Sequence, residues 1–208
     1  MRFFLIICIP VVFLFFTSCS FLQYYKEHEF KNPFFTTPTS QDTLSVLFVQ
    51  YSDIPESNKF IDTLYTLCYT KSAITTIRSE VISSNLIKNK ILVMPKNIAK
   101  PAILELIRPA VPTRYLLTMS IEEWKESELG GRNESNRDGR LRLQFGLFDM
   151  VELKHLYSVH STMVIAMPDK NDGPISLGAK GFNETAIELV HDTYTRELVK
   201  LFPEKVEE

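Results

Sequence analysis

The chain has 208 residues, a formal net charge of −2 at pH 7 and a hydrophobic fraction of 45%. That apolar fraction is typical of a folded protein and excludes a disordered chain, while a total of seven glycines excludes a collagen-like design. The charge balance lacks the basic excess that is typical of nucleic-acid-binding proteins, so we expect no nucleic-acid partner.

The first 18 residues have the pattern of a secretory signal peptide. Arg2 supplies a positive charge, residues 3–16 form an apolar run broken only by Pro10, and two small residues follow at positions 17 and 18. A transmembrane helix needs about 20 apolar residues, so this run is too short to be a comfortable anchor. We therefore expect residues 1–18 to be removed, which takes Arg2 away and leaves a formal net charge of −3.

The next residue is Cys19, and the sequence Thr17-Ser18-Cys19 resembles a bacterial lipobox. Phe16 replaces the usual leucine, which is closer to the looser lipoboxes of spirochaetes. The resemblance implies that Cys19 receives lipid and becomes the mature N-terminus. Residues 20–23 contain no acidic side chain, which by the habit of this family implies anchoring in the outer membrane. Whether the anchored protein faces the periplasm or the cell surface is left open.

Cysteine usage predicts a domain without a disulfide. Cys8 leaves with the signal peptide and Cys19 is consumed by lipid, so that Cys68 remains alone in the mature chain. Cys68 shares helical spacing with Ile61 and Leu64. We therefore expect it to be a small buried apolar residue and not a nucleophile.

Composition divides the mature chain into a tether, one globular domain and a short tail. Residues 19–42 contain Pro, Ser and Thr without a sustained period and predict a lipidated N-terminus followed by a flexible tether. Residues 43–203 form the globular domain, and residues 204–208 form a polar tail. The first half of the domain predicts a buried strand at 44–51, helices at 57–68, 79–88 and 99–108, and short strands at 73–77 and 91–94.

The second half of the domain predicts an antiparallel meander and a final helix. Apolar and polar residues alternate along 115–122, 140–147 and 157–165, and polar loops lie near 130–139 and 168–178. An apolar face with helical spacing then extends from Asn183 to Phe202. The predicted fold class is α/β (α+β), a mixed sheet with helices packed on it in the order β-α-β-α-(β)-α-β-β-β-α.

Four of these patterns together resemble a group of bacterial envelope proteins. They are the buried strand at 44–51, the strand entry at 114–121, the strand that ends in Leu147-Phe148-Asp149, and the terminal helix at 185–202. The group contains the curli-secretion lipoprotein, the penicillin-binding-protein activator lipoproteins and the N-terminal domain of TolB. The resemblance implies a domain that binds and assembles and does not catalyse.

No motif for catalysis or metal binding is present in the sequence. There is no Gly-x-Ser-x-Gly sequence, and the five-residue spacing of His155 and His160 predicts that they face opposite sides of one strand. His191 falls near the apolar face of the last predicted helix. Residues 169–173 predict an ordinary polar turn and not a calcium loop. We therefore expect no catalytic residue, no metal and no cofactor.

One cluster of charged and aromatic residues is a candidate partner-binding patch. The chain becomes acidic at the end of the strand that begins at 115, where it also holds its only tryptophan. Tryptophan is enriched among interface hot spots, although a solvated strand end would show the same pattern. The loop 168–180 is a second candidate region. The residues of the candidate patch are Trp124, Glu122, Glu126, Arg132 and Arg137.

These observations predict a lipid-anchored, non-catalytic protein of the bacterial envelope. Its partners would be the membrane, through the N-terminal lipid, and an envelope protein or polymer. One alternative is an accessory subunit of an export or transport complex, another is a structural role without a ligand, and a third is a hydrolase without a recognisable motif. The hydrolase requires a carboxylate within hydrogen-bond reach of His160 or His191.

Overall fold

The computed structural model describes residues 22–49, 58–125, 139–165 and 182–205, which contain six strands and four α-helices. The strands are β1 (Leu22–Lys31), β2 (Thr43–Phe48), β3 (Thr75–Ile77), β4 (Tyr115–Lys125), β5 (Gly139–Asp149) and β6 (Lys154–Ile165). The helices are α1 (Asn58–Lys71), α2 (Ser79–Lys88), α3 (Pro101–Ile107) and α4 (Phe182–Thr193). A 3-10 turn, Arg108–Ala110, follows α3, and α4 continues through a π-helical turn, Tyr194–Leu198, into a 3-10 turn, Val199–Leu201.

The predicted fold class is confirmed. The strands form one mixed sheet in the order β1-β6-β5-β4-β2-β3. Strands β4, β5 and β6 are the predicted antiparallel meander, and β2 runs parallel to both β3 and β4. Parallel pairing of β2 and β4 requires the long crossover that α1, α2 and α3 supply.

Two predicted segments differ from the structure. The tether predicted over residues 19–42 does not account for β1, which pairs antiparallel with β6 at one edge of the sheet. Four charged or titratable residues in a row, Lys26-Glu27-His28-Glu29, hide the strand's alternation, and such residues are typical of edge strands. The strand predicted over 91–94 is also wrong, because the Ile91 N–H bonds the Leu86 carbonyl and closes helix α2 instead.

One face of the sheet packs against α1 and α4 and forms the larger core. Cys68 is fully buried there, as the sequence predicts, and burial raises the pKa of its thiol. The thiolate is thereby suppressed, which fits an inert packing role. Central members of this core are Leu44, Val46, Phe60, Leu64, Leu117, Met119, Phe145, Val159, Leu189 and Tyr194.

The other face is divided between an apolar half and a polar half. Helices α2 and α3 cover the half that contains β2 and β4, where Ile82 and Leu104 meet Leu47, Leu116 and Phe148. Along β5 and β6 the same face carries polar side chains instead. None of the helices in the described ranges has the length and apolar character that crossing a bilayer requires.

Several predictions fall outside the residues that the structure describes. They are the signal peptide over 1–18, the lipidated Cys19, the polar loop over 168–180, and three members of the candidate patch, Glu126, Arg132 and Arg137. All of these, including removal of the leader, stay predictions.

Candidate functional site

Strict alternation along β5 places polar side chains on the uncovered half of the sheet. Leu141, Leu143 and Phe145 are fully buried in the larger core, so Arg142 and Gln144 between them point to the opposite face. Neighbouring strands add partners to this surface, which we term the charged face. Its members are Glu27 of β1, Glu122 and Glu123 of β4, Arg140 and Arg142 of β5, and His160 and Thr162 of β6.

Glu27 is the centre of the charged face. Its Oε1 accepts hydrogen bonds from Arg140 Nη2 at 2.8 Å and Thr162 Oγ1 at 2.7 Å, and its Oε2 lies 2.7 Å from Arg142 Nη2. Burial opposes ionisation, but the hydrogen bonds from Thr162 and both guanidinium groups outweigh it and lower the pKa of Glu27. The carboxylate of β1 therefore holds two arginines of β5 in a fixed arrangement. Together with Thr162 of β6, the network links three adjacent strands.

A second pair lies beside this network. His160 Nδ1 is 2.8 Å from Glu122 Oε2, and His28 of β1 meets the His160 ring edge-on with 5.7 Å between ring centroids. Both contacts occur at irregularities of register, one between Ile121 and Glu123 in β4 and one between Lys26 and Glu29 in β1. Irregular register re-aims side chains that a regular strand would direct elsewhere.

The structure brings only part of the predicted patch onto this surface. Glu122 belongs to the charged face, and Trp124 lies in β4 opposite Leu141 of β5. Sequence reasoning missed Glu27, Arg140, Arg142 and Thr162. The alternation of Arg140 and Arg142 with leucines was a usable signal for β5, whereas Glu27 was hidden in the segment interpreted as a tether.

His155 corrects a second expectation. The register of β5 and β6 shifts between Leu147 and Phe148, so that Leu156 and Tyr157 both enter the larger core. His155 is thereby turned to the same face as His160, where it stacks between Phe30 and Phe148 at centroid distances of 4.7 and 4.9 Å. Burial lowers the pKa of His155, and its Nε2 lies 3.0 Å from the Tyr157 carbonyl oxygen, to which it donates.

Two cavities lie outside the ion-pair network of the charged face. One of about 110 Å³ is lined by Asn32, Phe34, Arg114, Asp149 and Lys154, and one of about 20 Å³ lies between Gly146, Phe148, His155 and Ile98. Neither is lined by Glu122 or His160. Pockets for small molecules usually measure about 300–1,000 Å³, so neither cavity has the volume of a typical ligand pocket.

The chemistry of the charged face is that of recognition by paired charges. Within the described ranges, no group of three or more His, Cys, Asp or Glu side chains is arranged to hold a metal ion. Arg140 Nε is buried and has no hydrogen-bond acceptor among the described residues. Arginine is enriched at protein interfaces because its planar fork of donors fits carboxylates and phosphates. The arrangement therefore suits contact with a surface that carries acceptors.

No protein-family model matches the sequence, and no curated protein matches it. Solved structures do match in fold. The PelC dodecamer from Paraburkholderia phytofirmans is 14% identical, with a TM-score of 0.45 over 84% of this chain and 96% of that chain. The lipoprotein GNA1162 from Neisseria meningitidis is 12% identical, with a TM-score of 0.42 over 76% of this chain and 99% of that chain. The LpoB C-terminal domain from Salmonella enterica is 16% identical, with a TM-score of 0.38 over 60% of this chain and 84% of that chain. The solved structures that are similar in fold thus include a bacterial lipoprotein.

Proposed function

We propose that the chain is a non-catalytic binding protein of the bacterial envelope, held in the outer membrane by lipid on Cys19, that contacts a protein or polymer through its charged face. The observation that supports this most is the network in which Glu27 holds Arg140 and Arg142 on a partly exposed sheet surface. The charges are already positioned before any partner arrives, and a partner therefore loses less entropy in ordering them.

The position of β1 gives the anchor a geometric consequence. Strand β1 begins at Leu22, only three residues after Cys19. An extended chain spans about 3.3–3.6 Å per residue, so lipid on Cys19 would hold the edge of the sheet within about 10 Å of the bilayer. Two or more acyl chains anchor a protein stably where one does not. Glu27 and the charged face would then lie close to the membrane surface.

The binding role is tested by photo-crosslinking in intact cells. A photoreactive residue replaces Tyr25 or Gln144, which share this face, and replaces the exposed Val151 as the matched control. We expect a discrete adduct from the two face positions and none from position 151. Arg142→Ala should weaken the adduct. Identical products from all three positions, or no product from any, would reject the proposal.

The anchor is tested separately by mass spectrometry of the mature N-terminus. We expect acyl chains on Cys19, and we expect Cys19→Ala to yield an unlipidated precursor that leaves the membrane fraction. An unmodified thiol at Cys19 would reject the anchor and leave the charged face as a binding surface to be judged by the crosslinks alone. The accessory-subunit alternative predicts more, namely stoichiometric recovery of a transport complex from detergent-solubilised envelope.

A hydrolase is the second candidate, because the His160–Glu122 pair at 2.8 Å meets the requirement for a carboxylate beside a histidine. The same requirement is not met at His191, which is exposed and has no carboxylate partner among the described residues. A fluorophosphonate probe labels serine nucleophiles that a histidine activates. Labelling that His160→Ala abolishes would favour the hydrolase, and absence of labelling would favour the binding protein.

A further inference from the structure

Positive charge is concentrated in the part of the chain that covers the apolar half of the second sheet face. Residues 79–110 contain five basic and two acidic residues, whereas the rest of the chain contains 18 basic and 23 acidic residues. We call residues 79–110 the basic layer. It comprises α2, the connection to α3, α3 itself and the 3-10 turn that follows. An acidic chain therefore carries one surface of the opposite sign.

The cations of the basic layer are available to an external partner. All five side chains are exposed, and none forms an ion pair with any residue in the described ranges. The arginines of the charged face differ, since Arg140 and Arg142 are both paired with Glu27. The five cations are Lys88, Lys90, Lys96, Lys100 and Arg108.

Aliphatic side chains are exposed among these cations. Leu92 is 81% exposed, Ile87 is 76% exposed and Leu106 is 51% exposed. Ile87 and Leu106 face away from the sheet, because each helix buries its other side against it through residues such as Leu86 and Leu104. Leu92 lies in the connection between the two helices. Large exposed apolar side chains grouped on one surface mark a site of interaction.

Lysine together with exposed aliphatic side chains identifies the chemistry of the partner. A phosphate polymer would interact favourably with the lysines but would not bury Ile87, Leu92 or Leu106. The basic layer also contains no aromatic residue on which a base could stack. A bilayer interacts favourably with both kinds of side chain, since lysines contact anionic headgroups while aliphatic side chains enter the interface. We propose that the basic layer docks on a membrane surface that contains anionic lipids.

This docking goes beyond the proposed function and uses a different surface. The anchor would keep the chain near the bilayer, and the basic layer would determine which way the body lies on it. Each basic residue near an anionic surface contributes about fivefold to binding. Docking through a few lysines is thus reversible and sensitive to salt, because the Debye length falls from about 10 Å at 0.1 M to about 3 Å at 1 M salt.

The test uses the full chain, reconstituted into vesicles with whichever N-terminal anchor it carries, so that failure of acylation does not affect the readout. An environment-sensitive fluorophore is attached to the thiol of Leu92→Cys. The wild-type chain is labelled in parallel to measure the signal from any N-terminal thiol. Cys68 is buried and is therefore not expected to react. We expect a blue shift in vesicles of equal parts phosphatidylglycerol and phosphatidylcholine and none in phosphatidylcholine alone. Val151→Cys, also an exposed apolar position, should not shift.

Charge reversal distinguishes an effect of the basic layer itself from an effect of the net charge of the chain. Lys88→Glu with Lys96→Glu should remove the shift of the Leu92 probe, whereas Lys71→Glu with Lys200→Glu makes the same change of charge elsewhere and should preserve it. Equal loss in both pairs, or a shift that persists at 1 M salt, would overturn the proposal. The same shift on adding heparin to phosphatidylcholine vesicles would assign the layer to a soluble polyanion and overturn lipid docking.

Discussion

His155 and His160 lie on the same face of the sheet although their positions in the sequence differ by five. Regular alternation would place them on opposite faces. The bulge at Leu156 adds one residue to β6 and reverses the parity, which lets the His155 ring enter the stack between Phe30 and Phe148. The bulge therefore determines both which histidine faces solvent and which is held in the aromatic stack.

The stacked His155 should make folding sensitive to acid. Burial lowers its pKa below the ordinary 6.5, so as the pH falls the unfolded chain binds the proton first. The stability from neutral His155 is present above about pH 6.5 and is lost as the pH falls towards the folded-state pKa. His155→Phe keeps an aromatic ring and cannot titrate.

Urea unfolding at about pH 8 and about pH 5 measures this effect. We expect the free energy of unfolding to decrease more between about pH 8 and about pH 5 in the wild type than in His155→Phe. The free energy of unfolding at the higher pH measures the effect of the His155→Phe substitution on packing alone, because both rings are neutral there. Equal slopes in the two proteins would contradict the prediction.

Gly146 allows the ring of Phe148 to lie across β5. A Cβ at this position would come within 2.9 Å of Phe148 Cε2 and 3.1 Å of Thr118 Oγ1. The ring cannot move freely because it is stacked on His155. We expect Gly146→Ala to destabilise the fold by about 1–3 kcal/mol. Chemical denaturation should also show that Phe148→Leu, combined with Gly146→Ala, costs less than the sum of the two single changes.

Asp149 holds the turn between β5 and β6. Its Oδ1 accepts the N–H groups of Val151 and Glu152 at 2.8 and 2.9 Å, and its Oδ2 lies 3.3 Å from Arg114 Nε. We expect Asp149→Ala to lower the free energy of unfolding by about 2 kcal/mol, because two partly buried hydrogen bonds lose their charged acceptor. Asp149→Asn keeps the Oδ1 acceptor and should retain more than half of that stability. Equal losses in the two variants would show that the Arg114 contact dominates.

The sequence predicts best where one physical pattern extends over a long segment. The sequence predicts the meander because polar and apolar residues alternate along 115–122, 140–147 and 157–165. Cys68 was placed in the core because its helical spacing with Ile61 and Leu64 continues over several turns. Such patterns report burial directly.

Prediction failed where position in the sheet or a single inserted residue decides the outcome. Strand β1 has a charged centre because its outer edge is unpaired in the described sheet, and no local pattern reveals that Leu22–Lys31 will meet β6. The faces of His155 and Glu122 depend on register shifts that one residue creates. The charged face is therefore a product of strand pairing, and only its β5 arginines were visible beforehand.

The C-terminus of α2 offers a substitution that separates stability from charge. The N–H groups of Lys90 and Ile91 bond the carbonyls of Ile87 and Leu86, which is a Schellman motif, and Lys90 has a φ of 55° where glycine is preferred. The left-handed conformation costs a residue with a Cβ about 1–2 kcal/mol, and the greater chain entropy of glycine offsets part of the gain. We expect Lys90→Gly to raise the free energy of unfolding by roughly 0.5–1 kcal/mol.

The same variant removes one cation of the basic layer. Docking on phosphatidylglycerol vesicles should therefore weaken by about fivefold in a protein that is more stable than the wild type. Asn89→Gly is the matched control. Asn89 has a φ of −88°, so glycine relieves no strain there, and the variant keeps every lysine. It should therefore gain no stability and should dock as the wild type does. Thermal unfolding and the Leu92 probe measure the two quantities. If Lys90→Gly docks as tightly as the wild type, its lysine does not contact the lipid surface.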